Sequence, residues 1–385
     1  MITHTKALEE FCHVCASHPY VTIDTEFHRE KTYYSQLCLV QIAHPGNGPD
    51  SAVLVDALSP DLDLAPLYEL FRNKDVVKVF HAARQDLEIF YIEGGVIPEP
   101  FFDTQVAAMV CGFGDQVGYE TLVRKIAKAS LDKSSRFTDW SRRPLTEKQG
   151  AYALADVTHL RGIYEHLDAK LRETGRREWV EEELSVLTSP ATYVIDPDEA
   201  WRRVKTRNTS GKFLAVVKEL ARYREESARS RNVPRNRILK DDAILELAST
   251  RPGSLGDLSK SRLLLRDARK SPMADDLLAA IARARALPSD QHPKIVHAAP
   301  KRQGNEGLIE LLRVLLKAKA EQAGVAQKLI ASSADLETIA ADSNAPHPSL
   351  TGWRSIVFGQ DARRLCAGEI ALSADGSGVK IVELT

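Results

Sequence analysis

Residues 20–27, YVTIDTEF, decide how the first half of this chain is read. Tyr20–Asp24 is a short apolar run ending on an acid. In a strand, positions i and i+2 share a face, so Asp24 and Glu26 can converge on one site. Working outward, Gln36–Ala43 (QLCLVQIA) and Ala52–Asp56 (AVLVD) are strand-like and flank the turn residues 45–49, PGNGP. Three successive strands joined by short turns predict an antiparallel meander. Asp61–Phe71 reads as a helix, Val76–His81 (VVKVFH) as a β-rich run, and Arg84–Ile92, Thr104–Cys111 and Tyr119–Ala127 as helices. Thr146-Glu147-Lys148-Gln149 fits a capping box, and the helix it opens runs to about Glu173, near the Gly175 stop. The first half is therefore mixed α/β.

Further acids fall where loop-facing edges of such a sheet could gather them. Asp86 starts the helix that follows a buried strand, and Tyr152 and Asp156, four apart on a helix, stack on one face. Clustered carboxylates raise each other's pKa values unless cations neutralise them. Oxygen-only ligand sets select hard cations such as Mg²⁺ or Mn²⁺, and two such ions about 4 Å apart stabilise both the attacking and the leaving oxygen in phosphodiester hydrolysis. Taken singly, each acid also has a plain structural account: Asp24 a strand-end cap, Asp86 an N-cap, Asp156 a surface partner for Arg161.

Strand signals nearly vanish after Pro190. Gly211–Ser230, Lys240–Ser249, Ser261–Lys270 and Met273–Arg285 read as four helices of a small domain. Residues 288–304 lack periodicity and read as a linker. Glu306–Ala323, Gln327–Ala331, Ser333–Ala341 and Gly352–Ile356 suggest a second helical domain, and Ile370–Leu384 a terminal hairpin broken at Gly376-Ser377-Gly378.

The stretches IDTEF, HAARQDLEIF and YALADV, in that order, resemble the three exonuclease motifs of the DEDD superfamily. The Tyr four residues before the last Asp resembles that of its Tyr-bearing subgroup. DWSRRPLTEKQGAYALADVTHL is similar to the corresponding segment of the bacterial ribonuclease D family. REESARSRNVPRNRILKDDAILELA followed by SLGDLSK resembles the helicase-and-RNase-D C-terminal (HRDC) domain, and LLRVLLKAKAEQAGVAQKLIASSADLETIA with GWRSIVFG a second HRDC-like domain. The resemblance implies an α/β ribonuclease-H-like exonuclease domain, a mixed sheet with flanking helices, followed by two small all-α HRDC-type domains. The expected division is 1–175 exonuclease, 176–206 linker, 207–288 first HRDC domain, 289–304 linker and 305–385 second HRDC-like domain.

It also implies roles. Asp24, Glu26, Asp86 and Asp156 match the four metal-binding carboxylates, with Asp24 touching both of two divalent cations, Mg²⁺ or Mn²⁺. Tyr152 matches the Tyr whose hydroxyl positions the attacking water; with an ordinary pKa near 10 it orients that water rather than deprotonating it. The expected activity is a 3′–5′ exoribonuclease that releases nucleoside 5′-monophosphates from RNAs with single-stranded 3′ ends, tRNA precursors being the family's usual substrate. The alternatives are a DNA exonuclease of the Werner type and a catalytically idle RNA-binding protein. No P-loop GxxxxGK[ST] is present, so no nucleotide cofactor is expected and a helicase is excluded.

Composition frames this reading. The chain has 385 residues, 52 Lys/Arg and 53 Asp/Glu, a net charge of −1. That average hides a division, because residues 201–290 hold 21 basic against 11 acidic residues, a local net of +10. An acidic part joined to a basic part suggests carboxylates in one and a polyanion grip in the other, against the plainer view of Arg-rich solvated helix faces. Arg202, Arg203, Lys205 and Arg207 form one basic cluster, and Arg229, Arg231, Arg235 and Arg237 another; both read as contacts to RNA backbone. The five cysteines are too few and scattered for a disulfide framework, no apolar run reaches the length of a membrane span, and MITHTKALEEFCHV lacks a signal-peptide layout, so a soluble cytoplasmic protein with no membrane partner is expected.

Other residues invite a role. Asp103, in FFDTQ, reads as an N-cap. Cys12, His13, Cys15 and His18 superficially suggest zinc, but Cys12 and Cys15 share a helix face with Leu8 and Phe11 and read as packing. His81 could contact substrate or satisfy a backbone carbonyl. Phe27, His28 and Tyr34 could stack on a terminal base, with core packing an equal account of Phe27. Arg142 and Arg143 could meet phosphate or lie in a solvated loop.

Overall fold

The computed structural model describes residues 1–132, 134–135, 138–264, 269, 272–295 and 305–384. Strands β1 (Tyr20–His28), β2 (Gln36–Ala43), β3 (Ala52–Val55), β4 (Val77–Phe80) and β5 (Phe101–Asp103) form one sheet in the order β3-β2-β1-β4-β5. The meander β1-β2-β3 is antiparallel, whereas β4 joins β1 and β5 joins β4 in parallel. Parallel pairing needs crossovers, supplied by α2 (Ala65–Arg72) between β3 and β4 and by α3 (Arg84–Gly94) between β4 and β5. Helix α2 starts four residues later than its sequence suggests: Pro66 occupies its first turn, where a missing N–H goes unmissed.

Both faces of β2 are buried. One face meets the layer of α1 (Thr5–Cys15), α2 and α3, with Val21, Ile23, Val40 and Ile42 in a shared core. The other lies under the helix that closes the domain. That helix follows α4 (Thr104–Val110) and α5 (Tyr119–Leu122); it is α6 (Glu147–Thr174), opened by the reciprocal Thr146/Gln149 capping box and ended at Gly175, whose φ of +65° glycine adopts without strain. The expected helix over 119–127 is divided, α5 giving way to a wide π-type turn at Val123–Ala127. In α1, Leu8, Cys12 and Cys15 point inward while His13 is exposed, which disposes of the zinc alternative.

The stretch 176–206, expected as linker, carries α7 (Arg177–Thr188) and a 3₁₀ segment, Pro197–Arg203, that delivers Trp201 into the next core. That core is built by α8 (Gly211–Ser230), α9 (Arg235–Ile238), α10 (Asp241–Thr250), α11 (Leu255–Leu258) and α12 (Met273–Ala286). The helix expected over 261–270 and the linker at 289–304 lie partly outside the described residues. A third core joins α13 (Glu306–Ala323), α14 (Gln327–Ile330), α15 (Ser333–Ala341), α16 (Gly352–Arg354) and α17 (Gln360–Ala367), followed by the expected hairpin β6 (Ile370–Asp375) and β7 (Gly378–Glu383). Helix α17 is an addition to the elements expected from sequence.

Both helical regions touch the sheet domain. Trp353 stacks on Trp179 at 4.6 Å, Arg354 pairs with Glu182 at 2.6 Å, and Ala326 N–H donates to Met109 O at 2.9 Å. Approach there is so close that a Cβ on Gly112 would stand 2.6 Å from the Gly324 carbonyl oxygen. On the other side, the loop after β1 docks on the α8–α9 junction. Asn232 Oδ1 accepts from both Tyr33 N and Tyr34 N at 3.1 Å, while the Tyr33 hydroxyl donates to Glu225. Arg235 lies 4.7 Å from the Tyr33 ring centroid and binds both carboxylate oxygens of Glu225 at 2.6 Å.

Candidate active site

Strand alternation places Asp24 and Glu26 on the face of β1 that α6 covers. Two hydrogen bonds fix α6 there: Thr22 Oγ1 donates to Val157 O at 2.8 Å, and the Tyr119 hydroxyl donates to Ala155 O at 3.0 Å. These hold Asp156 against the strand. Carboxylate oxygens of Asp24, Glu26 and Asp156 consequently lie within 4.8 Å of one another, the one such cluster of His, Cys, Asp or Glu found among the described residues. Arg161 is turned away from Asp156 and bonds His44 O and Ser51 Oγ, both at 3.0 Å, so the surface-pair account of Asp156 fails.

Asp86 stands beside this trio. It is buried, its Oδ1 accepts from Thr25 Oγ1 on the opposite face of β1, and its charge acts on Asp24. It is not the cap of α3, whose N-cap position is Ala83. Burial, then Asp156, Asp86 and Glu26 in turn, push the Asp24 carboxyl well above the usual carboxylate range. Burial also lifts Asp86 to about 7 against the opposing Thr25 hydrogen bond. The Tyr152 hydroxyl is driven up by burial and by Asp156, Glu26 and Asp24, and it is hydrogen-bonded to Asp156, so it stays protonated. So many acids held close demand positive charge, and an all-oxygen set suits a hard divalent cation.

The position of Asp86 depends on a residue whose full part the sequence hides. Asp103 caps α4 as expected, accepting from Gln105 N at 2.7 Å, but its two oxygens also take the N–H groups of Ala82 at 3.0 Å and Ala83 at 2.9 Å. Ala82 sits at φ +57°, a conformation that costs a residue with a Cβ about 1 kcal/mol. One buried carboxylate thus holds the strained turn that launches α3, and with it Asp86. The pairing of β5 with β4, which sets Asp103 opposite Phe80, is what joins the two segments.

A cavity of about 260 Å³ opens beside the acids, lined by Asp24, His81, Tyr119, Tyr152 and Asp156 among others. The remaining candidates divide. Phe27 packs against the core, His28 Nε2 meets Asp139 at 2.9 Å, and Tyr34 lies edge-on to Tyr33 at 4.7 Å in the docked loop. Arg143 is occupied: it binds Asp56 through two bonds of 2.6 and 2.8 Å and also Cys38 O at 2.9 Å, which removes it as a phosphate contact, while Arg142 is exposed beside Asp139. Of the second basic cluster, Arg235 is committed to Glu225 and Arg229 to Ile195 O at 2.5 Å; Arg231 and Arg237 are exposed, as are Arg202, Arg203, Lys205 and Arg207.

A mixed sheet that brings carboxylates together beside a small cavity defines a phosphodiesterase-type exonuclease, and residues 1–172 match the family model described as 3′-5′ exonuclease, with residues 213–281 matching the HRDC domain. Over 383 residues the chain is 61% identical to the ribonuclease D of Jannaschia sp. (strain CCS1), covering 100% of this chain and 99% of that one. It is 48% identical to the ribonuclease D of Granulibacter bethesdensis, covering 99% and 96%. The crystal structure of Escherichia coli RNase D, an exoribonuclease involved in structured RNA processing, matches with a TM-score of 0.82 at 29% identity over 96% of this chain and 98% of that one. This chain belongs to the ribonuclease D family.

Proposed function

We propose that this 3′–5′ exoribonuclease trims structured RNAs bearing short single-stranded 3′ ends, tRNA precursors among them, with two divalent cations, Mg²⁺ or Mn²⁺. The convergence of Asp24, Glu26 and Asp156 carries this reading. Asp24, Glu26, Asp86 and Asp156 would hold the cations. When bound, these supply charge to the scissile phosphate and acidity to a water. Tyr152, kept protonated by its acidic neighbours, cannot serve as base and orients the water through its hydroxyl. The cavity beyond the acids takes the 3′-terminal nucleoside, which leaves as the 5′-monophosphate. The exposed Arg203, Lys205, Arg207, Arg231 and Arg237 engage RNA backbone without sequence choice.

On the same reading the chain divides into an exonuclease domain at 1–175, a first HRDC domain at 207–288 and a second HRDC-like domain at 305–385. The five free cysteines suit the reducing cytoplasm. The test is incubation of the purified chain with a 3′-tailed RNA and a matched DNA in Mg²⁺, Mn²⁺ or chelator. RNA shortened from its 3′ end with either metal and spared in chelator is expected. Degradation that survives chelator would overturn the metal mechanism, and faster attack on the DNA would overturn the RNA assignment.

A further inference from the structure

His81, the residue after β4, lines the cavity but is not among the clustered acids. Its Nδ1 lies 3.0 Å from Thr104 Oγ1, and that hydroxyl donates at 2.9 Å to Phe80 O. A hydroxyl has one proton and a carbonyl oxygen can only accept. Both contacts are satisfied only when Thr104 gives its proton to Phe80 O and His81 Nδ1–H donates to Thr104. A neutral imidazole is then the Nδ1–H tautomer, leaving Nε2 as a lone-pair acceptor at the opposite edge of the ring. Burial pushes the His81 pKa down, which favours this neutral form.

The two phenols that line the cavity are engaged elsewhere. The Tyr119 hydroxyl is given to Ala155 O, and the Tyr152 hydroxyl is hydrogen-bonded to Asp156. Among the described residues the hydrogen bond found for His81 is the one through Nδ1. A phosphate oxygen brings no proton, so it would be repelled by the lone pair. The group that every ribonucleoside carries and that can donate is a sugar hydroxyl.

We propose that His81 is a specificity-determining residue whose Nε2 accepts a hydrogen bond from a hydroxyl of the 3′-terminal ribose. Thr104 is the positioning residue that fixes the tautomer. The inference rests on the exoribonuclease reading, which seats the terminal nucleoside in this cavity. A 2′-hydroxyl in that bond would select RNA over DNA, and a 3′-hydroxyl would verify a true chain end. A site built to accept from a hydroxyl leaves its acceptor unpaired when the hydroxyl is missing, a difference worth roughly tenfold.

The experiment compares three otherwise identical RNAs whose last nucleotide is normal, 2′-deoxy or 3′-deoxy. Two readouts are taken, kcat/KM in Mg²⁺ and equilibrium affinity in chelator. The wild-type chain should disfavour one of the two deoxy ends by roughly tenfold in both readouts, and that arm identifies the hydroxyl. In His81→Phe the penalty should collapse toward one while the other arm is unmoved. Thr104→Val keeps the imidazole but frees the tautomer, and the same penalty should shrink there even if His81→Phe folds poorly. A penalty retained in both variants, or none in the wild type, overturns the proposal. Absence of any RNA turnover by the wild type would instead sink the exoribonuclease reading, and the affinity comparison would still judge His81.

Discussion

Asp24 and Glu26 share a face through the two-residue alternation of a strand, and Tyr152 and Asp156 stack through the four-residue spacing of a helix. Both are written in the order of the residues, whereas Asp156 meets the pair only because Thr22 and Tyr119 dock α6 on β1. What local sequence could not supply is the through-strand partner: Thr25 faces away from the trio and so reaches Asp86. Asp156→Asn removes one charge from a crowded group while keeping its size. Turnover should fall by at least ~10³-fold, the scale of losing a group that stabilises transition-state charge, with a melting temperature no lower than wild type. Asp86 predicts a pH effect. Its carboxyl titrates near 7 in the fold and near 3.9 when unfolded. Between those values the folded, metal-free chain binds more protons than the unfolded one, so stability falls as pH rises through that window. Asp86→Asn should therefore stabilise the metal-free chain, by on the order of 2 kcal/mol at pH 8, with a gain that shrinks toward pH 4. Denaturant titrations in chelator across that range measure it, and a loss at pH 8 would contradict the burial that raises the Asp86 carboxyl.

At the scale of elements, strong local signals survived folding. The Thr146 capping box and the Gly175 stop stand where their residues put them, because caps are satisfied within a turn of the chain. Elements whose existence depends on distant partners were not legible. Strand β5 has three residues and no periodicity to display; pairing with β4 makes it a strand. Helix α7 resembles linker in sequence because Val180 and Leu184 find their packing partners on α4, α6 and β5, and Trp179 finds Trp353 at the far end of the chain. The turn at Ala82 is of the same kind, since its strain is tolerable only while Asp103 receives its N–H groups. Asp103→Ala should cost about 2–4 kcal/mol, combining a lost helix cap with buried N–H groups left unpaired. Activity should fall as well, because Asp86 loses its fixed launch point. Ala82→Gly in that background should recover part of the stability, as glycine adopts positive φ without strain. Chemical denaturation of the single and double variants checks both.

For the whole molecule, the division between an acidic sheet domain and a basic helical region was plain in the sequence, but which arginines are available was not. Arg235 lies among exposed basic residues in sequence yet spends its charge on Glu225 and Tyr33. Arg231→Ala and Arg237→Ala should each weaken RNA binding and reduce its log–log salt slope by about 1. Arg235→Ala should leave that slope nearly unchanged and lower the melting temperature instead. A slope equally reduced by Arg235→Ala would place that residue on RNA. The stacked Trp179 and Trp353, the Arg354 ion pairs and the hydrogen bond from Ala326 to Met109 have a separate implication. They fasten the last eighty or so residues to the first domain without help from the covalent chain between them. The polypeptide should accordingly tolerate being severed: fragments 1–300 and 305–385, produced together with a tag on one, should copurify as a complementing pair and retain exonuclease activity. Trp353→Ala should release the untagged piece.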